Sequence, residues 1–347
     1  MHGVLSPEIY SAPNGGVSVR IANDFRKSVI FVGEQQGGSF VPKGTAFLLA
    51  GKKYGGQCNY ILTAYHVAKA VDDLGYSLRL NMRPSGSNMI EAPKFDWSFD
   101  KDADLAVAIY DAPSGSDIFY LPDSMLFRDD KIKSKRVEGG TPAYVAGLFN
   151  RFAGTDRNLP VVHTGHIALL PEDEEIPLKD ERSGLDAKCR CFLVQIQTLP
   201  GCSGSPVFIR RPVKTFPLPK PYEDTGMFPE SYGAPFLLGI WHGSWKDEPD
   251  GVVKNALNVS EGSVVPTSFG IVIPAQRIVN LLESAEMASK REKYAAKQER
   301  KTAPTADLLP HGKSGAQIDA EMKQILKTML FTPPSLHKKK KRSRKKK

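Results

Sequence analysis

The 347-residue sequence predicts an all-β protein of two successive small lobes, followed by a closing helix. Short apolar runs alternate with Gly, Pro, Asn and Asp from residue 28 onward, a pattern typical of β-sandwiches and barrels. A polar and charged stretch at about 111–140 divides these runs into two groups. At 275–282 the apolar residues change to helical spacing, which predicts the closing helix.

Ten apolar runs predict the strands, four before the charged stretch and six after it. A segment with six prolines, 210–235, predicts a loop insertion, because proline removes a donor from the strand ladder. Residues 1–27 form a lead-in segment. The predicted strands are 29–32, 46–49, 60–63 and 105–109 in the first lobe, and 143–146, 166–170, 192–196, 207–209, 236–240 and 270–273 in the second.

The chain changes character after residue 284. A heavily charged segment at 290–301 predicts an exposed helix or disorder, and Pro and Gly residues at 302–314 predict a linker. Apolar residues then recur at helical spacing over 316–331, which predicts an amphipathic helix that packs on the body or docks a partner helix.

The net charge of +9 comes from the last ten residues, 338–347, which hold nine Lys or Arg. Without them, 38 basic residues balance 38 acidic ones. This basic tail attracts nucleic acid or another polyanion without sequence preference, or it only solubilises the chain.

The four cysteines predict reduced structural thiols, since their spacing matches no zinc site and Cys189 and Cys191 are too close for good disulfide geometry. The start of the chain has no signal-peptide pattern, and no apolar run approaches the ~20 residues of a membrane span. We therefore expect a cytoplasmic protein without metal or cofactor.

His66 and Asp104 are candidates for a general base and its orienting acid. His66 follows an apolar strand and a Thr-Ala turn, which places its ring at the edge of the first lobe. Asp104 immediately precedes the apolar run 105–109, and Asp102 is its rival, two residues earlier. An acid that accepts from one ring nitrogen selects the tautomer whose other nitrogen can take a proton.

Ser203 is the candidate nucleophile, 99 residues after Asp104. A serine hydroxyl needs an adjacent base to become nucleophilic. Gly201 and Gly204 permit a tight turn that aims the backbone N–H groups of Gly201 and Ser203 at a developing oxyanion. Cys202 is the alternative nucleophile, but that register requires Pro200 where a glycine fits better.

Five segments together resemble the successive motifs of trypsin-like serine peptidases of the chymotrypsin fold, nearest to the bacterial branch of Htr-type proteases and glutamyl endopeptidases. The resemblance covers residues 28–283 and implies two six-stranded β-barrels with the active site in the cleft between them. It implies endopeptidase activity on a protein or peptide substrate. The segments are 44–48 (GTAFL), 61–67 (ILTAYHV), 104–107 (DLAV), 201–207 (GCSGSPV) and 270–274 (GIVIP).

The chain departs from this family at several positions. Cys202 replaces the acidic residue with which secreted trypsins bind a freshly cut N-terminus, so that mode of activation is not expected. Ala46 and Tyr65 replace smaller residues and could crowd the site. No PDZ-like segment follows the peptidase region, so an Htr-type assembly is not implied.

The specificity pocket is placed by the resemblance at Gln197, His242 and Gly243. Gln197 is not acidic, so cleavage after Lys or Arg has no support. His242 is one residue away from the histidine position of glutamyl endopeptidases, which reverses its face on a strand. Its ring therefore faces either the triad or the core.

Two functions follow from these observations. The first is a serine endopeptidase that uses Ser203, His66 and Asp104 through an acyl-enzyme intermediate. The alternative is an inactive peptidase-like binding module that recruits nucleic acid or a protein partner through its basic C-terminus. Tyr65 and Cys202 are the residues that favour the alternative.

Deleting residues 338–347 is expected to abolish binding of nonspecific nucleic acid at low salt, because it brings the net charge from +9 to zero. For the full chain, log affinity should fall with log salt by about 0.7 to 0.9 per phosphate contact. A salt-dependent titration of the full chain and of a chain ending at His337 measures this. Equal binding by both would place the polyanion site on the body instead.

Overall fold

The computed structural model describes residues 23–302, apart from 55–57, 85–87, 135–136, 172–173, 198–199, 211, 215–229, 233–234 and 248–264. Contacts group residues 1–296 into one compact unit and 297–347 into another. The predicted amphipathic helix 316–331 and the basic tail 338–347 lie outside the described residues. So does most of the proline-rich insertion, in which a short strand pair is described.

The first lobe is an eight-stranded sheet in the order β5-β4-β1-β2-β3-β7-β6, with β8 pairing in parallel with β2. Strands β3 and β7 are apolar and almost wholly buried, which explains their central position. The elements of this lobe are α1 (Asn23–Arg26), β1 (Val29–Gln36), β2 (Ser39–Ala50), β3 (Asn59–Ala64), α2 (Tyr65–Leu74), β4 (Ser77–Asn81), β5 (Asn88–Glu91), β6 (Ser98–Asp100), β7 (Leu105–Ile109) and β8 (Leu121–Pro122).

The second lobe is a closed six-stranded barrel in the order β10-β13-β18-β17-β14-β9. Its interior contains Trp241, Phe192 and other side chains that are almost fully buried. Two hairpin-like pairs, β11–β12 and β15–β16, lie outside the barrel ladder. The elements are α3 (Asp130–Ser134), β9 (Pro142–Gly147), β10 (Val161–Leu169), β11 (Ile176–Asp180), β12 (Leu185–Cys189), β13 (Phe192–Gln195), β14 (Pro206–Ile209), β15 (Pro212–Lys214), β16 (Glu230–Tyr232), β17 (Phe236–Asp247) and β18 (Val265–Pro274).

Two helices follow the barrel, α4 (Ala275–Leu282) and α5 (Ala285–Thr302). Five residues on one face of α4 are buried in an apolar cluster that includes side chains of both lobes. In α5, Lys290 donates to the carbonyl oxygen of Trp97 at 2.7 Å, which anchors the helix on the first lobe. None of the helices in the described ranges is both long enough and apolar enough to cross a membrane.

The prediction of an all-β protein with a six-stranded barrel and a closing helix at 275–282 is confirmed. The prediction that the first lobe also closes into a six-stranded barrel is not confirmed. Within the described ranges, its terminal strands β5 and β6 pair only with β4 and β7, respectively. These strands have only four and three residues, so each forms a short ladder with one neighbour.

Thr45 on β2 joins the two lobes and is fully buried. Its hydroxyl donates to the carbonyl oxygen of Gly201 at 2.8 Å and accepts from the backbone N–H of Leu148 at 3.1 Å. Its backbone N–H donates to the carbonyl oxygen of Ser203 at 3.0 Å. One residue of the first lobe therefore binds the turn around Ser203 in the second.

Replacing Thr45 with valine, which has the same shape, should destabilise the fold by about 2–4 kcal/mol. The change leaves the buried carbonyl of Gly201 and N–H of Leu148 without the hydroxyl, and each unsatisfied group costs about 1–3 kcal/mol. Urea unfolding of Thr45→Val and of the control Thr45→Ser, which keeps the hydroxyl, measures the difference. Equal stability of the two variants would show that this link between the lobes is unimportant.

Candidate active site

His66 is the second residue of α2, which begins where β3 ends. No side chain at the preceding Ala64 caps this helix. Instead, the backbone N–H of His66 donates to Asp104 Oδ1 at 3.1 Å. A carboxylate at a helix N-terminus satisfies a free N–H and interacts favourably with the helix dipole. The acid therefore fixes both the start of α2 and the position of His66.

Asp104 occupies the left-handed backbone region at φ +49°, directly after a 3₁₀ turn at Lys101–Ala103. Aspartate tolerates this conformation better than most residues. The Asp104 carbonyl oxygen accepts from the N–H of Tyr65 at 3.0 Å, and its side chain has no exposed surface. The turn thus directs the carboxylate inward, whereas the rival Asp102 is exposed.

The ring of His66 contacts the same carboxylate. Its Nδ1 lies 2.9 Å from Oδ2 and 3.1 Å from Oδ1 of Asp104. When Nδ1 carries the proton that binds Asp104, the neutral ring holds its lone pair at Nε2. This is the tautomer that a general base requires.

Histidines keep the buried carboxyl ionised. Burial raises the pKa of Asp104, but the charge of His66 and the hydrogen bonds from His242 and His66 outweigh burial and lower the pKa to about 2. Asp104 is therefore an anion throughout the neutral and mildly acidic range. An anion in this position stabilises a positive charge that forms on His66.

Ser203 lies in a turn between two glycines with positive φ, Gly201 at +108° and Gly204 at +84°. A Cβ at Gly204 would approach the Thr45 carbonyl oxygen to 2.1 Å, so only glycine fits there. The Ser203 hydroxyl donates to the carbonyl oxygen of His242 at 2.9 Å. Within the described ranges, no acceptor is found for the N–H of Gly201 or of Ser203.

His242 on β17 also contacts Asp104. Its Nδ1 lies 2.5 Å from Asp104 Oδ2, and its ring meets the His66 ring edge to face, with centroids 5.7 Å apart. The β17–β18 register shifts between Trp241 and Gly243, which changes the face on which His242 lies. Of the two orientations expected for its ring, toward the triad or into the core, the structure shows the one toward Asp104. The role of His242 in a specificity pocket stays a prediction.

These contacts connect the two lobes through His242, whose ring contacts Asp104 and whose backbone carbonyl contacts Ser203. His66 binds Asp104, Asp104 binds His242, and the His242 carbonyl binds Ser203. The three residues chosen from the sequence are therefore connected through a fourth. Their roles in catalysis remain a prediction.

Cys202 is not placed as a nucleophile. Its side chain is 1% exposed and lies in the apolar cluster of the barrel. The thiol donates to the carbonyl oxygen of Leu148 at 3.3 Å. All four cysteines are buried, and none of them forms a disulfide. Tyr65 is also buried and packs edge to face on Phe99, so it belongs to the core.

The role of Gln197 and Gly243 in a specificity pocket stays a prediction. Gln197 is exposed, and its backbone is hydrogen-bonded to His163, which sequence reasoning missed. A Cβ at Gly243 would meet no atom within 4 Å, so the backbone borders open space there. Burial lowers the pKa of His163, and the bond to Gln197 only partly offsets this effect.

The hairpin β11–β12 was also missed, although its buried residues alternate with more exposed ones along both strands, the pattern that could have found it. Asp180 ends β11 and accepts from the backbone N–H and the hydroxyl of Ser183 at 2.9 and 2.8 Å. Burial raises the pKa of Asp180, but these bonds and the charge of His66 lower it overall. The hairpin therefore contributes a second carboxylate to the electrostatic surroundings of His66.

The cluster of His66, Asp104 and His242 does not fit a metal ion, although its potential ligand atoms lie within 4.8 Å of one another. Zn²⁺ ligands at 2.0–2.2 Å stand about 3.4 Å apart in tetrahedral geometry. The two Nδ1 atoms lie only 2.9 and 2.5 Å from the same carboxylate oxygen. Distances this short are typical of N–H···O hydrogen bonds to a charged acceptor, in which a proton and not a metal ion lies between the two atoms.

No family model matches this chain, and no curated protein matches its sequence. Among solved structures, it is similar to the active form of the Rv3671c protease from M. tuberculosis, at 15% identity and a TM-score of 0.37, over 81% of this chain and 93% of that one. It is also similar to catalytically inactive tobacco etch virus protease complexed with substrate, at 12% identity and a TM-score of 0.37, over 76% and 86%. At such low TM-scores, the functional assignment must rest on the site geometry.

Proposed function

We propose that this chain is a serine endopeptidase of the bacterial trypsin-like type, with Ser203 as nucleophile, His66 as general base and Asp104 as orienting acid. One observation carries the proposal: the His66 ring contacts Asp104, and a single residue of the other lobe, His242, contacts Asp104 through its ring and Ser203 through its backbone carbonyl. The sequence separations of 38 and 99 residues make this meeting a property of the fold and not of local sequence.

In the proposed reaction, the Ser203 hydroxyl first turns from the His242 carbonyl toward Nε2 of His66. Nε2 takes the proton as Oγ forms a bond to the substrate's carbonyl carbon. The buried anion of Asp104 stabilises the imidazolium that results. His66 then donates this proton to the leaving amine, and the C–N bond breaks to leave an acyl-enzyme, which water hydrolyses by the same steps.

The oxyanion of the tetrahedral intermediate needs donors that the fold leaves available. The N–H groups of Gly201 and Ser203 meet this need, since no acceptor in the described part of the chain engages them. Thr45 holds the carbonyl oxygens of both residues, which fixes the peptide planes of this turn. One oxyanion donor contributes about 3 kcal/mol to transition-state stabilisation in enzymes studied by mutation.

The cellular setting is proposed on chemical grounds. Four free buried thiols suit a reducing compartment, which supports a cytoplasmic protein. The peptide substrate would enter next to Gly243, where the backbone borders open space. The roles of 316–331 in docking a helix and of 338–347 in binding polyanions remain proposals from the sequence.

A fluorophosphonate probe should label Ser203, because it reacts with a serine activated by an adjacent base. Ser203→Ala should lose both labelling and peptide hydrolysis. The matched control is Ser205→Ala, since the Ser205 hydroxyl is fully buried and has no hydrogen-bond partner among the residues that the structure describes. Mass spectrometry of the labelled peptide identifies the residue. A folded protein that is not labelled would favour the inactive binding module.

Asp104→Asn should lower kcat by about four orders of magnitude, because an amide favours the wrong tautomer of the base. Asp102→Asn should change kcat little, since Asp102 is exposed in the neighbouring 3₁₀ turn. Steady-state kinetics of both variants with a peptide substrate checks the assignment. A larger loss in Asp102→Asn would contradict it.

A further inference from the structure

We propose that His242 is a positioning residue that acts through Asp104, holding the carboxylate in the orientation in which it aligns His66. The inference rests on the proposed function and adds a fourth side chain to its machinery. His242 is 8% exposed and carries one of only two imidazole rings that contact the acid in the described part of the chain.

Each oxygen of Asp104 has two contacts with donor nitrogens, and those to Oδ2 are the shorter. Oδ1 accepts from the backbone N–H of His66 at 3.1 Å and lies 3.1 Å from the ring Nδ1. Oδ2 lies 2.9 Å from His66 Nδ1 and 2.5 Å from His242 Nδ1. The shortest contact thus comes from His242. Without it, His66 would be the only donor to a carboxylate that has no exposed surface.

The position of the His242 ring depends on the turn that carries the nucleophile. On β17, the residue before it, Trp241, donates to the carbonyl oxygen of Ser205 and accepts from the N–H of Gly204, both at 2.9 Å. The His242 carbonyl accepts from Ser203. Any shift of this strand therefore moves the nucleophile and the Asp104 donor together. Through these contacts, His242 holds Ser203 at a fixed distance from Asp104.

The contact between His242 and Asp104 is expected to influence the pKa of His66. Among the described residues, Asp104 and His242 contact its ring, and the charge of Asp180 on the β11–β12 hairpin also interacts with it. Loss of the His242 donor leaves the Asp104 anion less stabilised and therefore more basic. The anion then binds protonated His66 more strongly, so the pKa measured for His66 should rise by about one unit, equivalent to tenfold.

The test is NMR of ¹⁵N-histidine-labelled protein carrying Ser203→Ala, which requires no catalysis. In this background, two downfield ¹H signals are expected, one from Nδ1–H of His66 and one from Nδ1–H of His242. His242→Ala should remove the second and raise the titration midpoint of His66. His242→Asn, whose amide can donate from nearly the same position, should restore the midpoint.

In the active protein, His242→Ala should lower kcat about 10- to 100-fold with a smaller effect on KM, as expected for loss of a hydrogen bond to a charged group. The acid limb of the pH profile should move upward with the His66 midpoint. An unchanged midpoint in a folded His242→Ala protein would overturn the proposal, because loss of packing alone does not shift it.

If His242→Ala does not fold, the NMR spectrum of the Ser203→Ala protein still tests whether His242 binds Asp104. Absence of a downfield proton on His242 Nδ1 would show that the bond to Asp104 does not exist. If both NMR results hold while the chain shows neither hydrolysis nor probe labelling, His242 positions the acid and the peptidase proposal is the part that fails.

Discussion

The buried carboxylate of Asp104 is the constraint around which the rest of the site is arranged. An ionised carboxyl without solvent contact costs several kcal/mol unless donors surround it. The chain supplies them from three places: the first turn of α2, the ring of His66, and the ring of His242 on the other lobe. The left-handed backbone at Asp104 directs its carboxylate toward all three. The donors that stabilise the buried charge of Asp104 are therefore the same groups that would orient it in the proposed reaction.

The junction between the lobes follows from a second requirement, that polar backbone atoms in a buried turn must be paired. Thr45 satisfies it with its N–H and hydroxyl, which engage the carbonyls of Ser203 and Gly201. The backbone carbonyl of Thr45 accepts in turn from the hydroxyl of Thr63, close to the start of α2. The turn around Ser203 thus packs against the strands that lead to His66, and within the described residues the N–H groups of Gly201 and Ser203 have no acceptor.

Sequence reasoning placed the strand-forming runs, the closing helix and the segments around His66, Asp104 and Ser203, because these depend on local patterns of apolar residues and glycines. It missed α2, whose first turn is completed by a carboxylate 38 residues away. It did not predict the strand order of the first lobe, whose described residues show no closing pair between β5 and β6, since apolar runs do not specify their partners. The orientation of His242 also depends on a shift of register between β17 and β18, which is set by pairing and not by composition.

The long sequence separation of these contacts has a consequence for biosynthesis. The bond from Thr45 to Gly201 spans 156 residues, and that from His242 to Asp104 spans 138. Contacts so distant along the chain close only after most of the polypeptide exists, and domains fold roughly in order as they are made. A nascent chain that has completed its first lobe holds His66 and Asp104 but neither Ser203 nor the strand that carries His242. In the proposed peptidase, this division of the site between the lobes would keep the unfinished chain from cutting itself or its neighbours on the ribosome.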